Sequence, residues 1–366
     1  MSQRNKYRFL FAGGGTGGHV FPAIAVAEKI KMLKPESEIL FIGTKNKIES
    51  EVVPKAGFKF KSIWIKGFAR KFNIRNLLFP LKLAVSLCQS IFINLRFKPA
   101  VAVGSGGYVS GPAIWGASFL GAKIILLEQN SYPGITTRML EKKADEIHIS
   151  FEESKKYLRA KDKIFVSGNP VRADFQLIDK TEANKMFNLN NDKRTVLVLG
   201  GSLGAGNINS VIKDCLPALI KENIQIIWQT GKDYYETYKN LSSGDVVVRS
   251  FIDDMKAAFS VCTIAISRAG ATTIAEITNM GIPTIFVPSP NVAANHQYYN
   301  AKALADARAA ILLKDDEIKN NLLDAVLNLI FNDLELATLR ENVKNFAKPD
   351  SAYVIAKRVI ALAEMN

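Results

Sequence analysis

The sequence predicts an α/β protein with two doubly wound, parallel-sheet domains. Apolar runs of strand length alternate with helix-length amphipathic stretches along the whole chain, which is typical of βαβ units. Two segments, beginning near residues 8 and 195, each run from a strand through a glycine-rich turn into a helix, as a Rossmann-like half does at its start. At 366 residues, the chain is also longer than one ordinary hydrophobic core requires.

Each half contains five predicted strands. The first set covers residues 8–12, 39–42, 100–103, 123–127 and 146–149. The second set covers residues 195–199, 224–229, 245–248, 263–267 and 284–287. Glycine and proline in GNPVR break the pattern at residues 168–172, so we expect the domains to span 1–172 and 173–348. By fold analogy, the last helix, within 349–366, is expected to pack back on the first domain.

The positive charge of the chain lies almost entirely at its N-terminal end. The formal net charge is +14, and residues 1–100 contain 18 basic and 5 acidic residues. These basic residues are interleaved with long aliphatic side chains, and no nucleic-acid-binding module is recognisable. The pattern therefore favours an anionic membrane surface as the partner and argues against nucleic acid.

The most apolar segment, residues 76–95, contains Lys82 near its middle. A lysine there costs about 2.5–3.5 kcal/mol on insertion, which argues against a membrane span. The N-terminal apolar run is too short for a signal peptide. Cys88, Cys215 and Cys262 are widely spaced, so we expect buried, reduced thiols. These features predict a cytoplasmic protein that is soluble or peripherally bound to a membrane.

The first glycine-rich turn, Gly13 to Gly18, follows the first strand and precedes a helix. Its backbone N–H groups and the helix N-terminus are suited to an anion, and a diphosphate is the expected ligand. The alternative is a tight turn that only needs glycine. His19 follows directly and is a candidate general base, because histidine exchanges protons near neutral pH. It could instead cap or orient the loop, and geometry must decide between the two roles.

A second glycine-rich turn, in GSGGYVSGP at residues 104–112, lies at the carboxyl end of another predicted strand in the same half. Ligands of open α/β sheets bind along that edge. The strand IILLEQN brings Glu128, Gln129 and Asn130 to the same edge. His148, flanked by isoleucines in its strand, is expected to be structural.

In the second half, GGSLGAGN at residues 200–207 offers backbone donors and the Ser202 hydroxyl. The segment 266–290 runs through a glycine turn at Gly270 into a helix whose first N–H groups face the ligand edge. Glu276 follows one turn later, where a carboxylate can bind a ribose diol or simply stabilise the helix dipole. No DxD motif occurs in the chain, so neither a metal nor another cofactor is expected.

Residues 64–87 combine five basic side chains with several aromatic and aliphatic ones. Each basic residue near an anionic leaflet contributes about 1 kcal/mol, so the segment is suited to peripheral membrane binding. A core helix with a solvated basic face is the alternative. The charge concentrated in the first 100 residues favours the membrane interpretation.

Taken in order and spacing, GGTGGHVFP, GGYVSGP, EQN, GNPVR, GGSLGA, SFIDDM, SRAGATTIAE and HQYYNA resemble one family along nearly the whole chain. It is the family of undecaprenyl-diphospho-muramoylpentapeptide β-N-acetylglucosaminyltransferases, the peptidoglycan enzymes that make lipid II. The resemblance implies a GT-B fold with an N-terminal acceptor and membrane domain and a C-terminal UDP-GlcNAc-binding domain facing a cleft. It also implies inverting transfer of GlcNAc from UDP-GlcNAc to the C4 hydroxyl of the lipid I muramoyl residue, at the cytoplasmic face of the membrane. Other cell-wall synthesis proteins are further candidate partners.

The resemblance also implies roles for particular residues. His19 or Glu128 would be the catalytic base, and Ile252 would contact uracil through its backbone. The acceptor diphosphate would be bound by Gly14, Gly15, Gly106, Gly107 and Tyr108. The donor would be bound by Thr16, Gly17, Gly18, Asn130, Arg172, Ser202, Ile252, Ala271, Thr272, Thr273, Ile274, Ala275, Glu276 and Gln297.

One departure from the family pattern is Asn295, which stands where the family has an acidic residue before the HQ pair. Three alternatives to the leading function are left open. They are a GT-B enzyme with another lipid acceptor, a UDP-GlcNAc epimerase, and a membrane adaptor without enzymatic activity.

Overall fold

The computed structural model describes residues 6–67, 79–171, 177–201 and 204–365. The chain divides into two compact units, one formed by residues 1–173 with 348–366 and the other by residues 174–347. Each unit is a parallel sheet covered by helices on both faces. The doubly wound α/β fold class predicted from the sequence is therefore confirmed.

The first unit contains a seven-stranded sheet in the order β3-β2-β1-β4-β5-β6-β7. Its strands are β1 Arg8–Gly13, β2 Glu38–Gly43, β3 Lys59–Ser62, β4 Val101–Gly106, β5 Lys123–Glu128, β6 Glu146–Ile149 and β7 Ile164–Val166. Its helices are α1 Gly17–Leu33, α2 Glu49–Lys55, α3 Phe79–Phe97, α4 Ser110–Phe119, α5 Ile135–Leu140 and α14 Ser351–Glu364. The strand order reverses between β1 and β4, which makes this the switch point where such sheets bind ligands.

The second unit contains a six-stranded sheet in the order β10-β9-β8-β11-β12-β13. Its strands are β8 Arg194–Leu199, β9 Ile224–Gln229, β10 Val246–Arg249, β11 Ile264–Ser267, β12 Thr284–Phe286 and β13 Ile311–Leu312. Its helices are α6 Lys180–Phe187, α7 Gly206–Lys221, α8 Tyr235–Tyr238, α9 Met255–Val261, α10 Ala271–Met280, α11 His296–Asp306, α12 Ile318–Ile330 and α13 Asp333–Lys344. The switch point lies between β8 and β11, at the same place in the strand order as in the first unit.

The central strands are buried on both faces, as their unbroken apolar sequences predict. In β1, Phe9 and Phe11 pack into one core cluster and Leu10 into another on the opposite face. Helix α14 contributes Ile355 and Val359, spaced four residues apart, to the Phe9 cluster. The C-terminal helix is thus an integral part of the first unit.

An ion pair also holds α14 to the sheet of this unit. Arg358 donates two hydrogen bonds to the carboxylate of Glu146 in β6, and His148 lies 3.0 Å from the same carboxylate. Burial opposes ionisation of Glu146, but the bonds with His148 and Arg358 outweigh it and hold the pKa of this carboxyl below its ordinary value. His148 is almost completely buried and also bonds to Ser167, so its surroundings are those of a structural histidine.

Three strands were not predicted: β3, β7 and β13. They have only four, three and two residues, and each lies at the edge of its sheet, so none forms the long apolar run of a central strand. The prediction that all three cysteines are buried was wrong for Cys88, which is exposed on α3. Burial raises the pKa of the Cys262 thiol to about 12.

Candidate active site

The two glycine-rich turns of the first unit meet at its switch point, since β1 and β4 are neighbouring strands. A Cβ on Gly107 would overlap the carbonyl oxygen of Gly14, so the two backbones are in direct contact. Gly106 and Gly107 have φ angles of +100° and +78°, which residues with a Cβ rarely adopt. The close approach and the backbone conformation therefore both require glycine here.

Tyr108 completes this contact between the turns. Its ring lies 3.4 Å from the position that a Cβ on Gly15 would occupy. All five residues predicted for the acceptor diphosphate thus lie together at one sheet edge. They are Gly14, Gly15, Gly106, Gly107 and Tyr108.

Helix α1 begins immediately after the first turn, with Thr16 as its extended N-cap residue. Thr16 and Gly18 are exposed, and Gly17 is half-buried. The first N–H groups of a helix have no partner within the helix and are available to a ligand. Three of the predicted donor contacts therefore form an accessible helix N-terminus.

A buried carboxylate, not predicted from the sequence, lies behind the first turn. Glu49 is 1% exposed and accepts hydrogen bonds from Gly15 N at 2.9 Å, Thr44 N at 3.1 Å and Thr44 Oγ1 at 2.7 Å. The Gly15 N–H is therefore used by Glu49 in this structure. A diphosphate bound at this turn would accept hydrogen bonds from neighbouring N–H groups. Gly15 would mainly leave space for it, because it has no side chain.

His19 lies in the first turn of α1 and is held from the side by two elements. Its Nδ1 is 3.2 Å from Oε1 of Gln129, the residue that follows β5. A Cβ on Gly106 would lie 2.7 Å from Nδ1 and 2.8 Å from Cε1, so the ring packs directly against the glycine backbone. The Nδ1 edge is thus fixed by β4 and β5, which leaves Nε2 for chemistry.

Glu128, the other predicted base, is 3% exposed and heavily hydrogen-bonded. Its Oε2 accepts from Gly134 N at 2.9 Å and Thr137 Oγ1 at 2.7 Å, and its Oε1 accepts from Asn130 N at 3.1 Å. A carboxylate with these partners fixes the turn between β5 and α5 and orients Asn130. The geometry thus favours a positioning role for Glu128.

In the second unit, the turn after β8 packs tightly against the end of β9. Gly204 has a φ of +95°, and a Cβ there would overlap the carbonyl oxygen of Thr230. Gln229, next to Thr230, accepts the N–H of Ile252 at 2.9 Å. The Ile252 backbone, predicted to contact uracil, is therefore held by a buried side chain at this edge of the sheet.

Helix α10 begins at the switch point of the second unit, with Gly270 as its N-cap. Gly270 has no side chain with which to cap the helix, so ligand groups can approach the first N–H groups. The Thr272 hydroxyl is buried and has no hydrogen-bond partner among the described residues. The predicted segment Ala271, Thr272, Thr273, Ile274, Ala275 and Glu276 forms the first two turns of this helix, with Thr272, Thr273, Ala275 and Glu276 partly exposed.

An ion pair between Arg268, two residues before the N-cap of α10, and Asp315 was not predicted from the sequence. Arg268 Nη1 pairs with Asp315 Oδ1 and also donates to the carbonyl of Val287 at 3.1 Å. Asp315 accepts from Asn207 Nδ2, near the start of α7. Three loops of the ligand edge are thereby tied together, although no sequence signal distinguished Asp315 from its neighbour Asp316.

Gln297 accepts the N–H of Ser289 at 2.9 Å, so its side chain bridges the loop after β12 and the start of α11. Asn295, the departure from the family pattern, is the N-cap of α11 with a φ of +52°. Arg172 and Ser202 lie outside the described residues. No group of three metal-ligating side chains occurs in the part of the chain that the structure describes.

Comparisons with known proteins cover both units. The model of the glycosyltransferase family 28 N-terminal domain matches residues 9–149, and that of the family 28 C-terminal domain matches residues 195–358. Proteins of Flavobacterium psychrophilum and Bacteroides thetaiotaomicron are 42% and 44% identical to the chain, each over 98% of both proteins. Both are named "UDP-N-acetylglucosamine--N-acetylmuramyl-(pentapeptide) pyrophosphoryl-undecaprenol N-acetylglucosamine transferase".

Solved structures show the same fold. The crystal structure of Acinetobacter baumannii MurG has a TM-score of 0.78 and 25% identity, over 96% of this chain and 98% of that one. The structure of S. aureus MnaA with UDP has a TM-score of 0.68 at 13% identity, over 95% of this chain and 94% of that one, which shows a shared fold alone. The family resemblance inferred from the sequence motifs is confirmed. The chain belongs to glycosyltransferase family 28, among the N-acetylglucosamine transferases that bear the name of these two relatives.

Proposed function

We propose that this protein transfers GlcNAc from UDP-GlcNAc to the C4 hydroxyl of the MurNAc residue of undecaprenyl-diphospho-MurNAc-pentapeptide (lipid I), with inversion, and so makes lipid II. The observation that carries the proposal is the match, at 42–44% identity across nearly the whole chain, to transferases named for these substrates. The glycine-rich edges of both units support it, because each presents a helix N-terminus at a switch point.

The reaction is a single in-line displacement. The acceptor oxygen O4 forms a bond to C1 of GlcNAc while the bond from C1 to the UDP oxygen breaks, and His19 Nε2 takes the O4 proton. The N-terminus of α10, with Thr272 and Thr273, stabilises the charge that develops on UDP. Glu276 binds the ribose, the Ile252 backbone binds uracil, and Gln297 contacts the donor. Arg172 and Ser202 are further donor contacts in this proposal.

In the first unit, the two glycine-rich turns bind the acceptor diphosphate. Thr16, Gly17, Gly18 and Asn130 contact the transferred sugar and its nucleotide. Glu128 holds Asn130 in place. The chemistry assigned to these residues needs only hydrogen-bond donors, a base and oriented backbone dipoles.

A transfer assay tests this function. Radiolabelled UDP-GlcNAc is incubated with a soluble lipid I analogue, and the labelled disaccharide is the expected product. Omission of the acceptor is the control and should give no product. Transfer to diacylglycerol would indicate another lipid acceptor, release of free sugar would indicate an epimerase, and absence of any turnover would favour a membrane adaptor. Each of these three results would contradict the proposed function.

We also propose that the first unit binds the cytoplasmic face of the membrane peripherally, and α3 supports this. Its fully buried side chains are polar, since Ser86, Ser90 and Asn94 bond to backbone carbonyls, while apolar side chains such as Ile93 pack beside them against the core. Its exposed face carries Phe92 and Leu95, which are 54% and 50% exposed. A surface helix of a soluble protein normally exposes polar and charged side chains, so this exposed apolar face is suited to lipid.

Basic side chains lie over aromatic rings on α3 and on α4, which packs against α3. Arg96 stacks over Phe92 at 4.3 Å, and Lys143 lies 5.8 Å from the ring of Trp115 on the adjoining α4. Trp115 stacks in turn on exposed Phe119. The proposed membrane surface thus includes α4, beyond the predicted residues 64–87, of which 68–78 lie outside the described residues. Among those described, no helix has the length and hydrophobicity needed to cross a bilayer. Contact with other cell-wall synthesis proteins stays a prediction.

The doubly substituted variant Phe92→Ser/Leu95→Ser is expected to lose most of its affinity for vesicles of phosphatidylglycerol and phosphatidylcholine. Each side chain contributes up to about 1.5–3 kcal/mol when transferred from water, or roughly tenfold or more in affinity. Cosedimentation at several salt concentrations measures the affinity for the vesicles, and salt should weaken wild-type binding. Leu334→Ser, at an 81% exposed site in the second unit, is the matched control and should bind normally. Unchanged binding of the double variant would contradict the proposal.

A further inference from the structure

Gln129 makes two hydrogen bonds that together define its orientation. Its Nε2 donates to the carbonyl oxygen of Leu127 at 3.2 Å, and its Oε1 is 3.2 Å from Nδ1 of His19. The side chain is 2% exposed, so it has little freedom to turn over. Because a carbonyl oxygen only accepts hydrogen bonds, the NH₂ group must face Leu127 and the amide oxygen must face His19.

An amide oxygen facing Nδ1 determines which ring nitrogen of His19 carries the proton. An oxygen acceptor requires a donor, so Nδ1 is protonated in the neutral ring and Nε2 has the free lone pair. The Nδ1–Cε1 edge of the ring also lies against the backbone of Gly106. Gln129 and Gly106 thus contact the same edge of the His19 ring and leave the Nε2 side away from both.

We propose that Gln129 is a positioning residue that fixes His19 in the Nδ1–H tautomer and so prepares Nε2 as the base. This inference rests on the proposed function, in which His19 Nε2 takes the acceptor proton. Gln129 itself contacts neither substrate in this scheme. Its role corresponds to that of the carboxylate that orients the histidine in a serine-protease triad, with a neutral amide as the orienting group.

Nuclear magnetic resonance of protein labelled with nitrogen-15 histidine tests the tautomer directly. The chain contains only three histidines, His19, His148 and His296, so assignment by substitution is practical. Spectra of the full-length protein without substrates, recorded at a pH where the rings are neutral, should show His19 protonated at Nδ1. A wild-type His19 protonated at Nε2 would overturn the inference, whatever the enzymatic activity proves to be.

Two substitutions of similar size connect the tautomer to turnover. Gln129→Met removes the acceptor and should lose the single tautomer, with kcat falling roughly ten- to hundredfold, less than the roughly 10⁴-fold that a wrong tautomer costs in the protease triad. KM for UDP-GlcNAc should change little. Gln129→Glu keeps an oxygen acceptor toward Nδ1 and should retain the tautomer and recover part of kcat.

The two readouts separate this inference from the proposed function. If wild-type protein makes no lipid II but His19 is protonated at Nδ1, the function fails and the structural role of Gln129 stands. If wild-type protein is active and Gln129→Met retains both the tautomer and the full kcat, only the role of Gln129 fails. Because the wild-type spectrum alone decides the tautomer, a wild-type His19 protonated at Nε2 overturns the inference even if neither variant folds.

Discussion

Replacing His19 by alanine is expected to lower kcat for GlcNAc transfer by about 10²- to 10⁴-fold, the usual contribution of a positioned general base. Of the two predicted bases, His19 has the geometry better suited to accept a proton. Its Nδ1 is held by Gln129 and Gly106, and its Nε2 is left for the acceptor hydroxyl. His19 itself is not one of the proposed donor contacts, so the affinity for UDP should change less than about threefold. Steady-state kinetics with a soluble lipid I analogue and calorimetric titration with UDP measure the two quantities.

His19→Gln is the matched control for this variant. Its side chain can still bond to Gln129 but cannot take a proton, so it should be as slow as His19→Ala. Added imidazole should restore part of the turnover of His19→Ala, which has the space for it, and should have no effect on His19→Gln. If Glu128→Gln abolished turnover while His19→Ala kept most of it, Glu128 would be the base instead.

Much of the framework that places His19 was predictable from sequence. The central strands of a parallel sheet are buried on both faces, so they appear as continuous apolar runs such as those of β1 and β5. Glycines directly after such runs lie at the carboxyl edge, and the resemblance to one family added roles for individual residues. Edge strand β3, with the sequence KFKS, has no apolar run and was missed.

The contacts that refine the site could not be predicted, because they join residues far apart in the chain. Gln129 is 110 residues from His19, and Glu49 is 34 residues from the Gly15 N–H that it accepts. A buried carboxylate at the start of a short helix has the same sequence signature as one that stabilises the helix dipole. Only the fold brings Glu49 behind the glycine turn.

The contacts seen in the structure also change the role that we assign to Glu128. In the sequence it is a carboxylate at the ligand edge of the sheet, which is compatible with a base. In the structure it accepts bonds from Asn130, Gly134 and Thr137, residues that follow it by only two to nine positions. The hydrogen bonds of a local turn thus use the Glu128 carboxylate. The hydrogen bond between Gln129 and Nδ1, which joins residues far apart in the chain, instead leaves His19 with Nε2 for the proton.

Gly107→Ala is expected to damage both stability and activity, because Gly107 joins the two glycine-rich turns. Its φ of +78° costs alanine about 1–2 kcal/mol, and a Cβ that overlaps the Gly14 carbonyl oxygen adds about 1–3 kcal/mol of overpacking. Separation of the turns would also displace Gly106 and the His19 ring that packs on it, so kcat should fall at least about tenfold. The shift of the urea unfolding midpoint and the steady-state kcat measure the two effects.

Gly57→Ala separates backbone strain from the contact between the turns. Gly57 has nearly the same φ, +82°, and a Cβ there would meet no described atom within 4 Å. We expect this variant to show the strain of about 1–2 kcal/mol alone, with kcat unchanged. If the two alanine variants lost equal stability and both kept wild-type kcat, the contact between Gly107 and Gly14 would have no part in holding His19. A larger loss for Gly107→Ala in both measurements would instead show that the contact of Gly107, directly after β4, with Gly14 helps to place the base.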